Sequence, residues 1–194
     1  MFTKKQLYKL IIPLIIEQIL AVTVGMADIM MIAGAGEAAI SGVSLVDTLN
    51  VLLINIFSAL ATGGAVVSAQ YIGHKEQGKA CKSADQLLLI AGTISFVIMI
   101  IALIGNGMIL RIIYGDINAE VMKNARIYFY ISAISFPFLA VYNSCAALFR
   151  AMGNSKISMT VSIIMNIINV VGNAILLFVF NMGVAGVAIA TLLS

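Results

Sequence analysis

The positions of the charged residues constrain this chain more than any other feature of its sequence. Almost every Asp, Glu, Lys and Arg lies in a short gap between long apolar stretches. A helix rises about 1.5 Å per residue, so roughly 20 apolar residues cross a hydrocarbon core of about 30 Å. The apolar stretches here reach that length. The chain is therefore predicted to be an all-α integral membrane protein, a polytopic helix bundle.

Five of these stretches are complete and a sixth begins. The predicted spans are 8–32, 44–72, 85–109, 124–148 and 158–180, with the last one opening near Gly183 and stopping at Ser194. That final stretch is too short to complete a crossing, so we expect residues 1–194 to be one continuous bundle that is cut within its sixth helix. A content of 62% hydrophobic and 10% charged residues excludes an ordinary soluble domain. The sequence contains no basic patch with interleaved aromatic residues, so it does not indicate nucleic-acid binding.

The distribution of Lys and Arg predicts the orientation. Basic residues are retained on the cytoplasmic side during insertion. They concentrate at the N-terminus and in alternate gaps, at Lys4, Lys5, Lys9, Lys75, Lys79, Lys82, Arg150 and Lys156. The intervening gaps, 33–43, 110–123 and 181–183, are poorer in net basic charge. We therefore expect a multi-pass protein of the cell inner (plasma) membrane with a cytoplasmic N-terminus.

Asp28 is the clearest candidate for a functional group. It lies in the outer half of the first span among apolar and small residues, with no Lys or Arg within a helical turn. An ionisable residue in a span is costly unless it faces protein or water. A carboxyl in that setting can take up a proton or bind a cation when water reaches it. The alternative interpretation is a carboxylate at the water interface, because the end of the span is uncertain by several residues.

Glu17 and Pro13 lie closer to the cytoplasmic end of the same span. Glu17 could extend its carboxylate to the interface or meet a cytoplasmic lysine. Pro13 removes a backbone hydrogen bond and is predicted to bend the helix, either as a hinge or as a passive kink. Pro137, on the fourth span, is a second hinge candidate.

Polar side chains form one stripe on each of three later spans. The stripes are Asp47, Asn50, Asn55, Ser58 and Thr62 on the second, Tyr128, Ser132, Ser135 and Tyr142 on the fourth, and Asn166, Asn169 and Asn173 on the fifth. Amides are poorly satisfied by lipid, so the stripes are expected to point inward. Their function could be interhelical hydrogen bonding alone. The candidate substrate cavity consists of Asp47, Asn55, Tyr128, Ser135, Tyr142 and Asn166.

An ordered set of segments resembles the MATE family, the multidrug and toxic compound extrusion transporters. The set runs from Pro13 and Asp28 through 61–64 (Ala-Thr-Gly-Gly), 69–73 (Ala-Gln-Tyr-Ile-Gly) and 148–154 (Leu-Phe-Arg-Ala-Met-Gly-Asn). It continues with Asn169 to Asn173 and ends with 183–191 (Gly-Val-Ala-Gly-Val-Ala-Ile-Ala-Thr). Each segment alone is a weak signal, whereas the set in this order is fairly specific and covers nearly the whole chain.

The resemblance implies twelve helices in two six-helix lobes around a central cavity, with this chain as most of the N-terminal lobe. It implies export of small organic, often cationic or amphipathic, substrates in exchange for Na⁺ or H⁺, with the lipid bilayer and the C-terminal lobe as the other partners. No cofactor other than the coupling ion is implied. The family's cation site is matched by Asp28, Asn169, Asn173 and Thr191, which makes these four residues a possible Na⁺ site.

One position departs from part of the family. Some members carry Asp where this chain has Asn173, so Asp28 is the one formal negative charge in the expected cluster. A single carboxylate with neutral amide and hydroxyl oxygens suits a monovalent cation, and Asp28 alone can carry a proton. The choice between Na⁺ and H⁺ stays open.

Three alternatives to the transporter hypothesis differ in the residues that they require. A lipid-linked saccharide flippase would favour a large cationic groove, and the spans hold few basic residues. An intramembrane enzyme is not expected, because His74 is predicted to lie in a solvated gap and Asp28 and Asp47 lie on different helices in different surroundings. A non-transporting membrane scaffold is the third alternative. Cys81 and Cys145 do not indicate a disulfide framework.

Overall fold

The structure, a computed structural model, describes residues 4–194, except for the side chains of residues 4–7 and 9. Part of the predicted orientation depends on Lys4, Lys5 and Lys9, and the side chains of these three residues are among those not described. Six α-helices follow one another along the chain. They are α1 (Lys4–Ile32), α2 (Glu37–Gly73), α3 (Gln77–Tyr114), α4 (Ala119–Ala151), α5 (Ser155–Ala174) and α6 (Gly183–Leu193). A 3₁₀ turn at Ala33–Ala35 joins α1 to α2, and a π-helical segment at Ile175–Val179 follows α5.

Five segments are long and apolar enough to cross a membrane, and α6 is a shorter apolar helix. The prediction of an all-α bundle with five complete spans and the start of a sixth is therefore confirmed. In a hydrocarbon core every backbone N–H and C=O needs an internal partner, and a helix supplies these partners within one segment. Residues 4–194 contain no β-strand.

The connections are shorter than the gaps between the predicted spans. We expected gaps at 33–43 and 110–123, but α2 already begins at Glu37, α3 continues to Tyr114 and α4 begins at Ala119. The polar residues at the edges of the apolar stretches continue the helices into the interfacial region. Cys81, which we expected in a gap, consequently lies on α3, where it is exposed.

Helix α4 lies at the centre of the bundle. It packs most extensively against α2, then against α3, and it also contacts α6 and α5. Helix α1 packs mainly on α5 and only slightly on α2. The centre of the α2–α4 contact holds Phe57 and Phe136, whose rings meet edge to face with centroids 6.3 Å apart. Helix α3 packs against α2 and α4 on the outside of the bundle.

A glycine turn connects α4 to α5. Gly153 has a φ of +79°, a left-handed conformation that favours glycine. The N–H of Gly153 bonds to the carbonyl of Arg150 at 2.9 Å, and the N–H of Asn154 bonds to that of Phe149 at 2.9 Å. These bonds satisfy carbonyls at the end of α4. Helix α5 then begins at Ser155 and packs mainly against α1 and α6.

Both span prolines lie within continuous helices. Pro13 is buried inside α1, and Pro137 lies inside α4. Neighbouring helices tolerate proline in a membrane span because they help to satisfy the freed carbonyl. The hinge roles of Pro13 and Pro137 stay predictions.

Candidate functional site

A cavity of about 690 Å³ lies between α1, α2, α4, α5 and α6. Five of the six predicted substrate-cavity residues line it, namely Asp47, Tyr128, Ser135, Tyr142 and Asn166. The sixth, Asn55, does not line this cavity, and its side chain is exposed on α2. The polar stripe that we predicted on α2 thus reaches the cavity at Asp47 and Asn50. Asn55 and Thr62, which we also expected to point inward, are exposed on the surface.

Three residues of the predicted cation site, Asp28, Asn169 and Thr191, line the cavity, and the fourth, Asn173, is fully buried beside them. Asp28 is buried, with 7% of its surface exposed, although it lies only one turn from the end of α1. The Asn173 amide nitrogen donates a hydrogen bond to Asp28 Oδ1 at 2.5 Å and another to Asn169 Oδ1 at 3.0 Å. The Asn169 amide in turn donates to Thr191 Oγ1 at 3.4 Å. The structure therefore brings all four residues together in one hydrogen-bonded chain.

The spacing of the amides explains how three helices meet at this point. Asn169 and Asn173 are four residues apart, so they lie on one face of α5, one turn above the other. That face packs between α1, which carries Asp28, and α6, which carries Thr191. Gly172 allows the close approach of α6, because a Cβ at Gly172 would lie 3.2 Å from the Cβ of Ala190.

Several polar atoms around the cavity have no hydrogen-bond partner within the part of the chain that is described. They are Asn173 Oδ1, Asn50 Oδ1, Asn166 Nδ2 and Ser132 Oγ. Buried polar groups are normally satisfied. The Asn173 amide donates its nitrogen to Asp28 and also carries this unpartnered oxygen. The site therefore offers carboxylate, amide and hydroxyl oxygens. Oxygen donors of this kind suit a hard cation.

The cavity contains a second carboxylate. Asp47 of α2 lines the same cavity as Asp28. Our expectation that these two aspartates lie in different surroundings is therefore wrong. A helical sector of α2 faces the end of α1 across the cavity, which could not be inferred from the separate sequence contexts. No Lys or Arg is among the described residues that line the cavity.

Glu17 has a partner that we did not predict. Its carboxylate lies 3.5 Å from an Arg150 guanidinium nitrogen, and it accepts hydrogen bonds from Tyr142 and Ser158 at 3.3 Å each. We expected exposure at the interface or a cytoplasmic lysine, yet the cation is an arginine at the end of α4. Both side chains are largely buried, with 12% of Glu17 and 23% of Arg150 exposed. The sequence did contain a signal for this pair, because Glu17 and Arg150 have opposite charges and were both predicted near the cytoplasmic side.

The π-helical segment is the other feature that sequence reasoning missed. It begins at Ile175, two residues after Asn173, and buries Leu177. Such segments are rare and occur often at functional sites. The sequence there, Ile-Leu-Leu-Phe-Val, contains no Gly or Pro that would signal an irregular helix.

Two remaining expectations concern His74 and metal ligands. His74 directly follows α2 and is exposed, as predicted for a solvated residue. Among the residues that the structure describes, no three His, Cys, Asp or Glu side chains come together as a metal site. The four residues of the predicted cation site include a single carboxylate, that of Asp28.

Comparison with known proteins identifies the relatives of this chain. The sequence model of the MatE family matches residues 13–175. The chain is 28% identical over 190 residues to the "Uncharacterized transporter YisQ" of Bacillus subtilis, covering 95% of this chain and 41% of that protein. It is 27% identical over 198 residues to the "Probable multidrug resistance protein NorM" of Thermotoga maritima, covering 98% and 42%.

Solved structures give the same result for the fold. A MOP superfamily transporter from Pyrococcus furiosus superposes with a TM-score of 0.91 at 23% identity, covering 98% of this chain and 42% of that one. An outward-facing multidrug resistance MATE family transporter gives the same TM-score and coverage. The chain thus spans less than half the length of the relatives it matches.

Proposed function

The chain belongs to the MatE family, and we propose that it forms the N-terminal six-helix lobe of a multi-pass exporter of organic compounds driven by an inward flow of Na⁺ or H⁺. A second lobe would complete the transporter and close the central cavity. The observation that carries this proposal is the buried Asp28 carboxylate at the wall of a 690 Å³ cavity, bonded to Asn173.

The proposed coupling mechanism uses both the nitrogen and the oxygen of the Asn173 amide. Its nitrogen donates to Asp28 Oδ1. Rotation of the same amide would present its oxygen to a protonated carboxyl or to a bound Na⁺. Asn169 and Thr191 supply further oxygens on the same wall. Occupation of this site by a cation or proton would change the relative stability of outward-facing and inward-facing states, as alternating access requires.

The proposed substrates are cationic or amphipathic molecules. The cavity combines two carboxylates, Asp28 and Asp47, with aromatic and apolar side chains such as Tyr128, Phe138 and Met165. Aromatic faces and carboxylates attract organic cations. A lipid-linked saccharide carries phosphates, and a flippase for it would need basic residues where this lobe has acidic ones. A non-transporting scaffold and an enzyme have no supporting observation in the described residues.

The test is gradient-driven efflux by the complete protein in proteoliposomes. A dye cation is loaded, and a Na⁺ or pH gradient is applied to wild type, Asp28→Asn and Asp47→Asn. Asp28→Asn keeps the size of the side chain and one oxygen that can accept from Asn173, but it removes the charge. We expect it to abolish the dependence of efflux on the gradient, with at least a tenfold fall in driven rate.

Asp47→Asn is the matched control for charge in the cavity. We expect it to weaken the binding of cationic dyes while efflux still responds to the gradient. Coupled efflux at the wild-type rate in Asp28→Asn would exclude Asp28 from the mechanism. Coupling that fails equally in both variants would contradict the separate roles that we assign to the two carboxylates.

A further inference from the structure

A second depression lies on the outside of the bundle, away from the transport cavity. It is a groove of about 400 Å³ between α3 and α4, and its walls include Leu103, Ile104, Arg126 and Tyr130. An adjoining hollow of about 370 Å³ shares Arg126 and adds Arg111. Two arginines therefore lie along one seam of an otherwise apolar surface.

The position of Arg126 along its helix places it near the edge of the hydrocarbon core. Helix α4 has 33 residues, a length of about 50 Å, which exceeds a core of about 30 Å by roughly 10 Å at each end. Arg126 lies seven residues from the start of α4, about 10 Å along the axis. The guanidinium is consequently at the depth where lipid headgroups meet acyl chains.

The charge of Arg126 is not neutralised within the described part of the chain. The ion pairs there are Lys79 with Glu76, Arg150 with Glu17, and Arg111 with Asp116 at 3.6 Å. A guanidinium at the hydrocarbon boundary is costly without an anion. A phosphate accepts paired hydrogen bonds from the guanidinium fork.

The groove floor anchors the backbone at Arg126 and leaves space for its exposed side chain. Asn106 of α3 donates a hydrogen bond at 2.9 Å to the backbone carbonyl of Arg126, which ties the two helices together at this level. The guanidinium packs over Gly107, where an added Cβ would lie 3.1 Å from the guanidinium carbon. The missing side chain at Gly107 thus provides the space that the arginine occupies.

The walls suit an acyl chain. Ile104 is 84% exposed, and Tyr130 is also exposed beside it. Tyrosine is enriched at the level of lipid headgroups, where its ring is apolar and its hydroxyl is wet. We propose that this groove binds an anionic phospholipid, with the phosphate on Arg126 and one acyl chain along Leu103, Ile104 and Tyr130.

The experiment uses the complete protein, purified in detergent, and native mass spectrometry to count bound lipids. Phosphatidylglycerol and phosphatidylcholine of equal chain length compete for wild type, Arg126→Gln and Lys123→Gln. Lys123 is exposed on the same helix, one turn nearer its start, and does not line the groove. Both variants therefore lose one positive charge at the same membrane side.

We expect wild type and Lys123→Gln to retain phosphatidylglycerol in preference to phosphatidylcholine, and Arg126→Gln to lose about fivefold of that preference. Inorganic phosphate should not displace the lipid, because the apolar walls contribute to binding. An unchanged preference in Arg126→Gln, an equal loss in Lys123→Gln, or displacement by inorganic phosphate would each overturn the proposal.

A second variant guards against misfolding of Arg126→Gln. Ile104→Glu places a carboxylate in the groove that would pair with Arg126 and compete with the phosphate. It should lower phosphatidylglycerol retention as Arg126→Gln does. Wild type that shows no preference for the anionic lipid refutes the site without any variant.

Discussion

Helices α2 and α4 approach closely at Gly42, and a methyl group added there should separate them. A Cβ at Gly42 would lie 2.8 Å from the Cβ of Asn124, 2.9 Å from the backbone nitrogen of Ala125 and 3.0 Å from the carbonyl oxygen of Val121. Carbon atoms pack favourably at about 3.5–4.0 Å. Relief therefore requires a shift of roughly 0.7 Å or more between the two helices. Two of the three contacts are backbone atoms, which cannot rotate away.

We expect Gly42→Ala to destabilise the protein by about 1–3 kcal/mol, the usual cost of overpacking. The controls lie on the same helix. Gly63 has no atom within 4 Å of the added Cβ, so Gly63→Ala should be neutral or stabilising. At Gly64 all of the close contacts are side-chain atoms of Leu87, and a side chain shifts more readily than a backbone, so Gly64→Ala should fall between the two.

The measurement is the thermal midpoint of the complete protein in detergent, taken from the loss of the monodisperse peak in size-exclusion chromatography. The expected order of midpoints is Gly63→Ala, then Gly64→Ala, then Gly42→Ala. A Gly42→Ala protein at least as stable as wild type would show that the α2–α4 spacing described here is wrong. An equal loss in Gly63→Ala would show that the effect is not one of packing.

Two further predictions concern the Glu17 pair and the orientation. Glu17→Gln should lower the free energy of unfolding by about 1–3 kcal/mol, because it leaves Arg150 partly buried beside a neutral amide. Glu76→Gln removes the exposed pair with Lys79 and should cost under about 1 kcal/mol. The thermal midpoints of the two variants are compared, and equal losses would contradict the burial argument. If the N-terminus is cytoplasmic, a membrane-impermeant maleimide should label Cys81 in inverted vesicles and not in intact cells, with Cys81→Ser as the control; labelling in intact cells would reverse the orientation.

The helices could be predicted because the bilayer imposes both their length and their composition. The ends could not, since polar residues such as Glu37 and Gln77 continue a helix in water as readily as they end it. Hydropathy reports where lipid contact stops and not where helical hydrogen bonding stops. This difference explains the short connections and the position of Cys81 on α3.

The candidate site was predictable to the extent that its residues share a local pattern. Asn169 and Asn173 lie four apart, so their common face follows from helix geometry alone. The meeting of Asp28 with Asn173, 145 positions away along the chain, was inferred from the family resemblance, and its geometry needed the fold. The joint location of Asp28 and Asp47 and the partner of Glu17 depend on how helices pack against each other, which no single segment encodes.

The division of contacts within the bundle has a consequence for how its parts can move. Helix α1 rests on α5 and barely touches α2, whereas α2, α3 and α4 pack closely together. The α1–α5 pair therefore carries Asp28, Asn169 and Asn173. The opposite side of the cavity, formed by α2 and α4, carries Asp47 and Tyr128. A displacement of the α1–α5 pair would widen or narrow the cavity between the two sides. It would not change the distances from the Asp28 carboxylate to the amides of Asn169 and Asn173.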